Sequence, residues 1–181
     1  MGNINKALLQ LDGQTLIARA IARLEPQVER LAISANMDHD ALAKYGLPIL
    51  ADHAPLGPLA GVLAALEWAA PLGATAVVSV AVDTPFFPPD LVPHLCLAAE
   101  SSASGLAIAH SNADHPTFGI WPVALAPALA DFLASGVNPR VMTFADAQFA
   151  ARASFPDNQA FANLNTPDDL ARAAALLAGQ P

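Results

Sequence analysis

Three polar residues follow short apolar runs: Asn36 after Leu31-Ala32-Ile33-Ser34, Asp52 after Pro48-Ile49-Leu50, and Asp83 after the run from Ala76 to Val82. In an open α/β sheet, ligands bind beyond the carboxyl ends of the strands, so chemistry is expected at these positions. A carboxylate there, Asp83 above all, can hold Mg²⁺, which takes one or two protein carboxylates and completes its shell with phosphates and waters. The same residue types also favour turns. Taken singly, Asp83 serves equally well to turn the chain before Pro85, and Asn36 and Asp52 read more simply as turn residues. A further loop, Gly57-Pro58-Leu59-Ala60-Gly61, opens a helix and suits an anion or a close backbone contact; its glycines are equally consistent with close packing. The histidines, His39, His53, His94, His110 and His115, form no zinc pattern with Cys96 or with acids. No G-x-S-x-G elbow, Walker loop or G-x-G-x-x-G fingerprint is present.

The elements that position these residues alternate. Beyond the three apolar runs, Leu106 to His110, Phe118 to Trp121 and Ala151 to Phe155 read as weaker strands. The run from Ala76 is apolar on both faces, as central parallel strands are. Leu16, Ile17, Ala20, Ile21 and Leu24 share one face of a helix after the Asp12-Gly13 turn, and Val62, Leu63, Leu66, Ala69 and Ala70 share a face of another that stops at Pro71. Helices are also expected over Pro88 to Glu100 and Ala124 to Ser135. The last begins at Thr166-Pro167-Asp168-Asp169, a capping threonine, a proline in the first turn and acids behind it. The alternation predicts an α/β sandwich with a mostly parallel sheet and helices on both faces.

Composition narrows the class. The 181 residues are 54% hydrophobic, and a domain of this length buries roughly 70% of its unfolded surface; one domain over 1–181 is expected. The apolar run from Ala74 to Val82 is far short of the roughly 20 residues that cross a bilayer. Met1 to Asp12 has no signal-peptide pattern, and a single cysteine fits a reducing compartment, so a soluble cytoplasmic protein is expected. A net charge of −8 argues against nucleic acid as a partner, which requires a basic patch. A small phosphorylated ligand would need a metal ion, backbone amides or a few placed basic groups.

Several segments together resemble one family. Met1-Gly2-Asn3-Ile4-Asn5-Lys6-Ala7-Leu8-Leu9 is similar to the family stretch R-M-G-G-x-D-K-A-L-L. Asp12-Gly13, Ile33-Ser34-Ala35-Asn36, Gly57-Pro58-Leu59-Ala60-Gly61, Asp83-Thr84-Pro85, His115-Pro116-Thr117, Arg140-Val141-Met142 and Asn163-Leu164-Asn165-Thr166-Pro167 follow in the family's order. The family is the molybdenum cofactor guanylyltransferases, the MobA branch of the Rossmann-like nucleotidyltransferases, and the match runs nearly the whole chain.

The resemblance implies transfer of GMP from GTP to molybdenum-molybdopterin, with release of pyrophosphate. Such a reaction needs in-line positioning and neutralised phosphate charge more than a protein nucleophile. The resemblance assigns Asp83 to Mg²⁺ and Lys6 to a phosphate, as the catalytic pair. It assigns Asn36 and Asp52, with Lys6 and Asp83, to the nucleotide, and Gly61, Arg140, Asn163 and Asn165 to the pterin-phosphate side. Arginine suits bidentate phosphate binding. Transient contact with molybdoenzymes or their chaperones is a further implication, and neither nucleic acid nor membrane is a partner.

The sequence departs from the family at its start. The family's first strand, its glycine-rich L-A-G-G loop and the arginine of R-M-G-G have no counterpart here, Asn3 stands for a glycine, and Asn5 for the aspartate before the lysine. The expectation is therefore a Rossmann-like sandwich lacking its first strand and loop, with Met1 an internal methionine of a longer natural protein. The absent loop is the one that selects the base. Two alternatives stay open: a nucleotidyltransferase of the same fold that uses CTP or a sugar phosphate, and a non-catalytic relative that binds the pterin cofactor or a partner protein.

Overall fold

The computed structural model describes residues 6–52 and 57–178. Asn3 and Asn5 lie outside the described residues. The described residues begin with a 3₁₀ turn at Lys6–Leu8 and a short hairpin, β1 (Gln10–Leu11) and β2 (Gln14–Thr15), around the Asp12-Gly13 turn. Both turn residues take positive φ, 51° at Asp12 and 74° at Gly13. Helix α1 (Leu16–Leu24) follows at once, capped by the Thr15 hydroxyl, which accepts from the Ala18 N–H at 3.3 Å.

Strands β3 (Ile33–Ser34) and β4 (Ile49–Leu50) pair in parallel, with the short helix α2 (His39–Ala43) between them. Helix α3 (Pro58–Ala69) starts from Gly57, whose φ of 77° suits glycine, with proline in its first turn. The second sheet contains β5 (Ala76–Ser79), β6 (Ala107–His110), β7 (Asp114–Pro122) and β8 (Ala151–Ser154), in the order β5-β7-β6-β8. Three of its strands run one way; β7 alone is reversed, pairing antiparallel with both β5 and β6, while β6 and β8 are parallel. A mixed sheet of this kind arises because β6 returns directly into β7 through a tight turn, which only an antiparallel pair permits. Among the described residues β5 has one strand neighbour, β7, and so lies at an edge of its sheet rather than at its centre. Its residues are correspondingly half-buried.

Helices cover both faces. Ala20 and Leu24 of α1, with Leu91 and Leu95 of α4 (Leu91–Ala99), pack with Ala107, Ala109, Phe118 and Ala153. On the other face, Leu59, Leu63 and Leu66 of α3, Leu129 of α5 (Ala126–Ala134) and Phe144 of α6 (Val141–Ala147) pack with Leu106, Ile108 and Trp121. The alternation of Ala107, Ile108 and Ala109 between the two clusters is the period-two signature of a strand covered on both sides. Helix α7 (Pro167–Ala178) closes the chain against the β1–β2 hairpin through Leu11, Leu164 and Ala173. The Thr166 hydroxyl accepts from the Asp169 N–H at 3.1 Å, and the Asp169 carboxylate accepts from the N–H groups of Thr166 and Asn165. This reciprocal arrangement is a capping box with aspartate in the acidic position.

Candidate active site

Asp83 follows the chain leaving β5, in a turn closed by the Thr84 N–H donating to the Ala81 carbonyl at 3.3 Å. Val82, just before it, packs with Ile33 of β3 and Ile17 of α1. That apolar contact places the Asp83 turn beside the β3–β4 pair. The Asp83 carbonyl accepts a 2.7 Å hydrogen bond from the Leu164 N–H, tying the turn to the Asn163-Leu164-Asn165 segment. Leu164 is buried while Asn163 and Asn165 are exposed. An extended chain alternates its side chains, so burying the leucine turns both asparagines outward.

Lys6 joins these pieces. Its Nζ donates to Oδ2 of Asp83 at 3.2 Å and to Oδ1 of Asn165 at 2.5 Å. Thr84, buried completely, donates its hydroxyl to Oδ1 of Asn163 at 2.6 Å. Four of the residues predicted from the sequence, Lys6, Asp83, Asn163 and Asn165, are thus brought together from three distant parts of the chain. The Lys6–Asp83 pair is partly exposed, so its net stabilisation is about 0–1 kcal/mol. Its consequence is geometric: an ammonium and a carboxylate are held side by side at an open surface.

Asn36 and Asp52 form a second unit. Asn36 donates through Nδ2 to Oδ2 of Asp52 at 2.9 Å and accepts from the Asp52 N–H at 2.8 Å. Ser34 adds a longer contact to Oδ1 of Asp52, 3.4 Å. Gly61, on the first turns of α3, packs over them: a Cβ there would lie 2.5 Å from the Ser34 hydroxyl and 3.4 Å from Oδ1 of Asp52. The structure therefore gives Gly61 a close-packing role against this unit, which brings the polar pair under the start of the helix.

Arg140 shares no hydrogen bond with either cluster among the described residues. It lines a cavity of about 750 Å³ with Gly57, Pro58, Pro116, Pro139 and Met142. It is exposed and enters no ion pair among the described residues. A guanidinium on the rim of a largely apolar recess suits a ligand with an anionic group and a flat apolar body.

A third polar group forms across β6, β7 and β8. His110 and Arg152 both meet Oδ1 of Asp114, at 2.8 and 3.1 Å, and Arg152 also reaches Asp146 at 2.6 Å. Burial works to raise the Asp114 pKa, but hydrogen bonds from His110 and Arg152 outweigh it and hold the carboxyl below its ordinary range. His115 stacks on Phe161, with ring centroids 4.2 Å apart. Because the Ser111 hydroxyl donates to Asn158, it accepts from Nε2 of His115 at 2.7 Å. Burial, with His110 nearby, pushes the His115 pKa down.

Sequence reasoning missed Thr84 and Ser34. Ser34 is the last residue of β3, whereas Thr84 lies in the turn beyond β5, directly after Asp83. Among the described residues no group of three or more His, Cys, Asp or Glu converges as a metal cage.

The MobA-like NTP transferase domain family matches residues 1–149, most of the chain and all of the segment that holds Lys6, Asn36, Asp52 and Asp83. This chain belongs to that family. Among its relatives in the MobA-like family, a molybdenum cofactor guanylyltransferase of Cereibacter sphaeroides is 54% identical over 98% of this chain and 90% of its own length. One of the same name from Mesorhizobium japonicum is 42% identical over 98% of this chain and 89% of its own length. Two solved structures share the fold at low identity. Molybdopterin-guanine dinucleotide biosynthesis protein A from Archaeoglobus fulgidus superposes with a TM-score of 0.77 at 22% identity, covering 98% of this chain and 93% of that one. The 2-C-methyl-D-erythritol 4-phosphate cytidylyltransferase from Thermus thermophilus gives 0.71 at 19% identity, covering 96% and 94%. The MobA-like fold is therefore shared with an enzyme named for a different nucleotide, and the shared architecture alone does not choose the base.

Proposed function

We propose that this protein, acting as one nucleotidyltransferase unit, transfers GMP from GTP to molybdenum-molybdopterin and releases pyrophosphate. The observation that carries the proposal is the convergence of Lys6, Asp83, Asn163 and Asn165 on one open surface. The names of relatives with up to 54% identity supply the substrates.

In this reading an oxygen of the molybdopterin phosphate forms a bond to the α-phosphorus of GTP. The bond from that phosphorus to the α–β bridging oxygen breaks, and its electron pair leaves with pyrophosphate. No protein nucleophile is required; the chain binds, aligns and neutralises charge. Lys6 supplies a point charge to a phosphate oxygen. Asn163 and Asn165 align the acceptor phosphate, and Arg140, at its apolar recess, binds an anionic end of the pterin substrate. Asn36 and Asp52 face the nucleoside.

Asp83 fits a role in holding Mg²⁺. Lys6 engages its Oδ2, which leaves Oδ1 as the ligating oxygen, and Mg²⁺ needs only one or two carboxylates when phosphates complete its shell. When bound, the ion neutralises triphosphate charge and polarises the phosphoryl group.

No helix among the described residues is long and apolar enough to cross a membrane. With a single exposed cysteine, the protein suits work in the cytoplasm, where molybdoenzymes or their chaperones would receive the product.

The test is nucleotide choice. The protein is incubated with molybdenum-molybdopterin, Mg²⁺ and either GTP or CTP, and pyrophosphate is measured. Release that depends on GTP and on the pterin supports the reading. Preference for CTP overturns the choice of base, and binding of the pterin with no release from either nucleotide supports a non-catalytic relative.

A further inference from the structure

Thr84 is the one polar residue that is buried among the described residues. Its hydroxyl proton goes to Oδ1 of Asn163, 79 positions away, at 2.6 Å. A buried hydroxyl that lost this acceptor would be costly to leave unsatisfied, and no buried side-chain polar atom of the described residues lacks a partner. The bond therefore decides which way the planar amide of Asn163 faces. With Oδ1 turned inward to Thr84, Nδ2 lies on the opposite branch, toward the exposed side of the residue. Reversing the amide would set an N–H donor against the hydroxyl and leave the threonine proton without its acceptor. The neighbouring backbone bond from Leu164 N–H to the Asp83 carbonyl, 2.7 Å, fixes the same two segments at a second point. Asn163 is held by its own side chain and by the backbone N–H of the residue that follows it.

We propose that Thr84 is a positioning residue that locks the Asn163 amide with its N–H₂ outward, as a donor to the phosphate of the acceptor substrate. The inference rests on the reading of Asn163 as a contact to that phosphate, and adds the residue that sets its polarity. Asn165 differs in a telling way: its Oδ1 is taken by Lys6, a charged residue at the surface. The two asparagines thus present their amide nitrogens through two separate anchors, one buried and neutral, one exposed and charged. A phosphate, which only accepts hydrogen bonds when fully ionised, is the ligand class that matches two outward donors beside an ammonium.

The experiment compares wild type, Thr84→Val and Thr84→Ser. Valine keeps the shape and removes the hydroxyl; serine keeps the hydroxyl. GMP transfer is followed at varied molybdopterin and at varied GTP, with thermal melting as a check on folding. The expected result is a KM for molybdopterin raised roughly five- to tenfold in Thr84→Val, the worth of about one hydrogen bond. The KM for GTP should stay unchanged, and Thr84→Ser should restore the wild-type value. Equal KM values for molybdopterin in all three proteins would overturn the proposal, as would equal rises for both substrates. Absence of transfer in the wild type would instead overturn the functional reading. The Asn163 side-chain amide resonances give a readout independent of turnover. N–H₂ signals that shift on adding inorganic phosphate, and do so less in Thr84→Val, support the proposal; signals indifferent to phosphate overturn it.

Discussion

Nζ of Lys6 lies 3.2 Å from Oδ2 of Asp83, a contact between the Lys6–Leu8 turn and the turn that follows β5, 77 residues on. The pair sits at an open surface, where its Coulombic stabilisation is small. In the proposed reaction, which needs positive charge held ready, a lysine parked on a carboxylate would be oriented before substrate arrives.

Asp83→Asn preserves shape and removes the charge. Transfer should fall by about a hundredfold or more, the scale of losing one electrostatic group at a reacting phosphate. The melting temperature should barely move, because the lost ion pair is worth little. Initial rates and a thermal melt on the same preparation check both halves.

Gly61 offers a stability prediction. A Cβ at this position would stand 2.5 Å from the Ser34 hydroxyl, so Gly61→Ala should destabilise the protein by roughly 1–3 kcal/mol, as overpacking does. Adding Ser34→Ala removes the clashing oxygen and should recover much of the loss. A double-mutant cycle in urea measures the coupling; additive effects would mean that the clash is relieved elsewhere.

The cap of α7 should be visible in acid. Hydrogen bonds from the Thr166 hydroxyl and from the Thr166 and Asn165 N–H groups, joined by Arg172, hold the Asp169 pKa below its ordinary 3.8. A carboxyl depressed on folding stabilises fully above the unfolded value, and that stability is lost as pH falls through the lower folded value. Thr166→Ala should cost about 1 kcal/mol at neutral pH, and its difference from wild type should narrow below pH 3.8. Denaturation curves across that range check the direction.

His115 should make the fold sensitive to milder acid. Its pKa is lowered from the ordinary 6.5, chiefly by burial and then by His110. The unfolded chain therefore takes up the proton first, so stability is full above 6.5 and declines as pH falls from there through the folded value. In His115→Asn that part of the decline should vanish. Melting temperatures from pH 8 to 5 show it, on the order of the range where histidine titrates.

The sequence made the architecture legible where patterns were long. The amphipathic face of α1 and the threonine cap of α7 lie where they were expected, while β5 begins at Ala76 as expected but ends at Ser79, so the apolar run to Val82 continues beyond the strand. What it obscured was neighbourhood. An apolar run looks alike at the centre of a sheet and at an edge whose two faces are covered, so the place of β5 was not readable. Helices α2 and α6 are too short, at 5 and 7 residues, to show a helical period. At the candidate site, the strand-end rule singled out Asp83, Asn36 and Asp52, and the order of motifs singled out Lys6, Asn163 and Asn165, which the structure joins in two hydrogen-bonded clusters. Thr84 stayed hidden because only the fold brings a hydroxyl next to an amide 79 positions away. Gly61 was visible as a glycine, but its reason, the Ser34 hydroxyl, depends on packing.

The most direct test uses GTP radiolabelled at the α-phosphate. The protein is mixed with molybdenum-molybdopterin and Mg²⁺, and the pterin product is separated and counted, for wild type and Asp83→Asn. Label in a pterin guanine dinucleotide, made by the wild type and nearly lost in the variant, is the predicted result. Label that never reaches the pterin, or reaches it equally with Asp83→Asn, would contradict the account of this site.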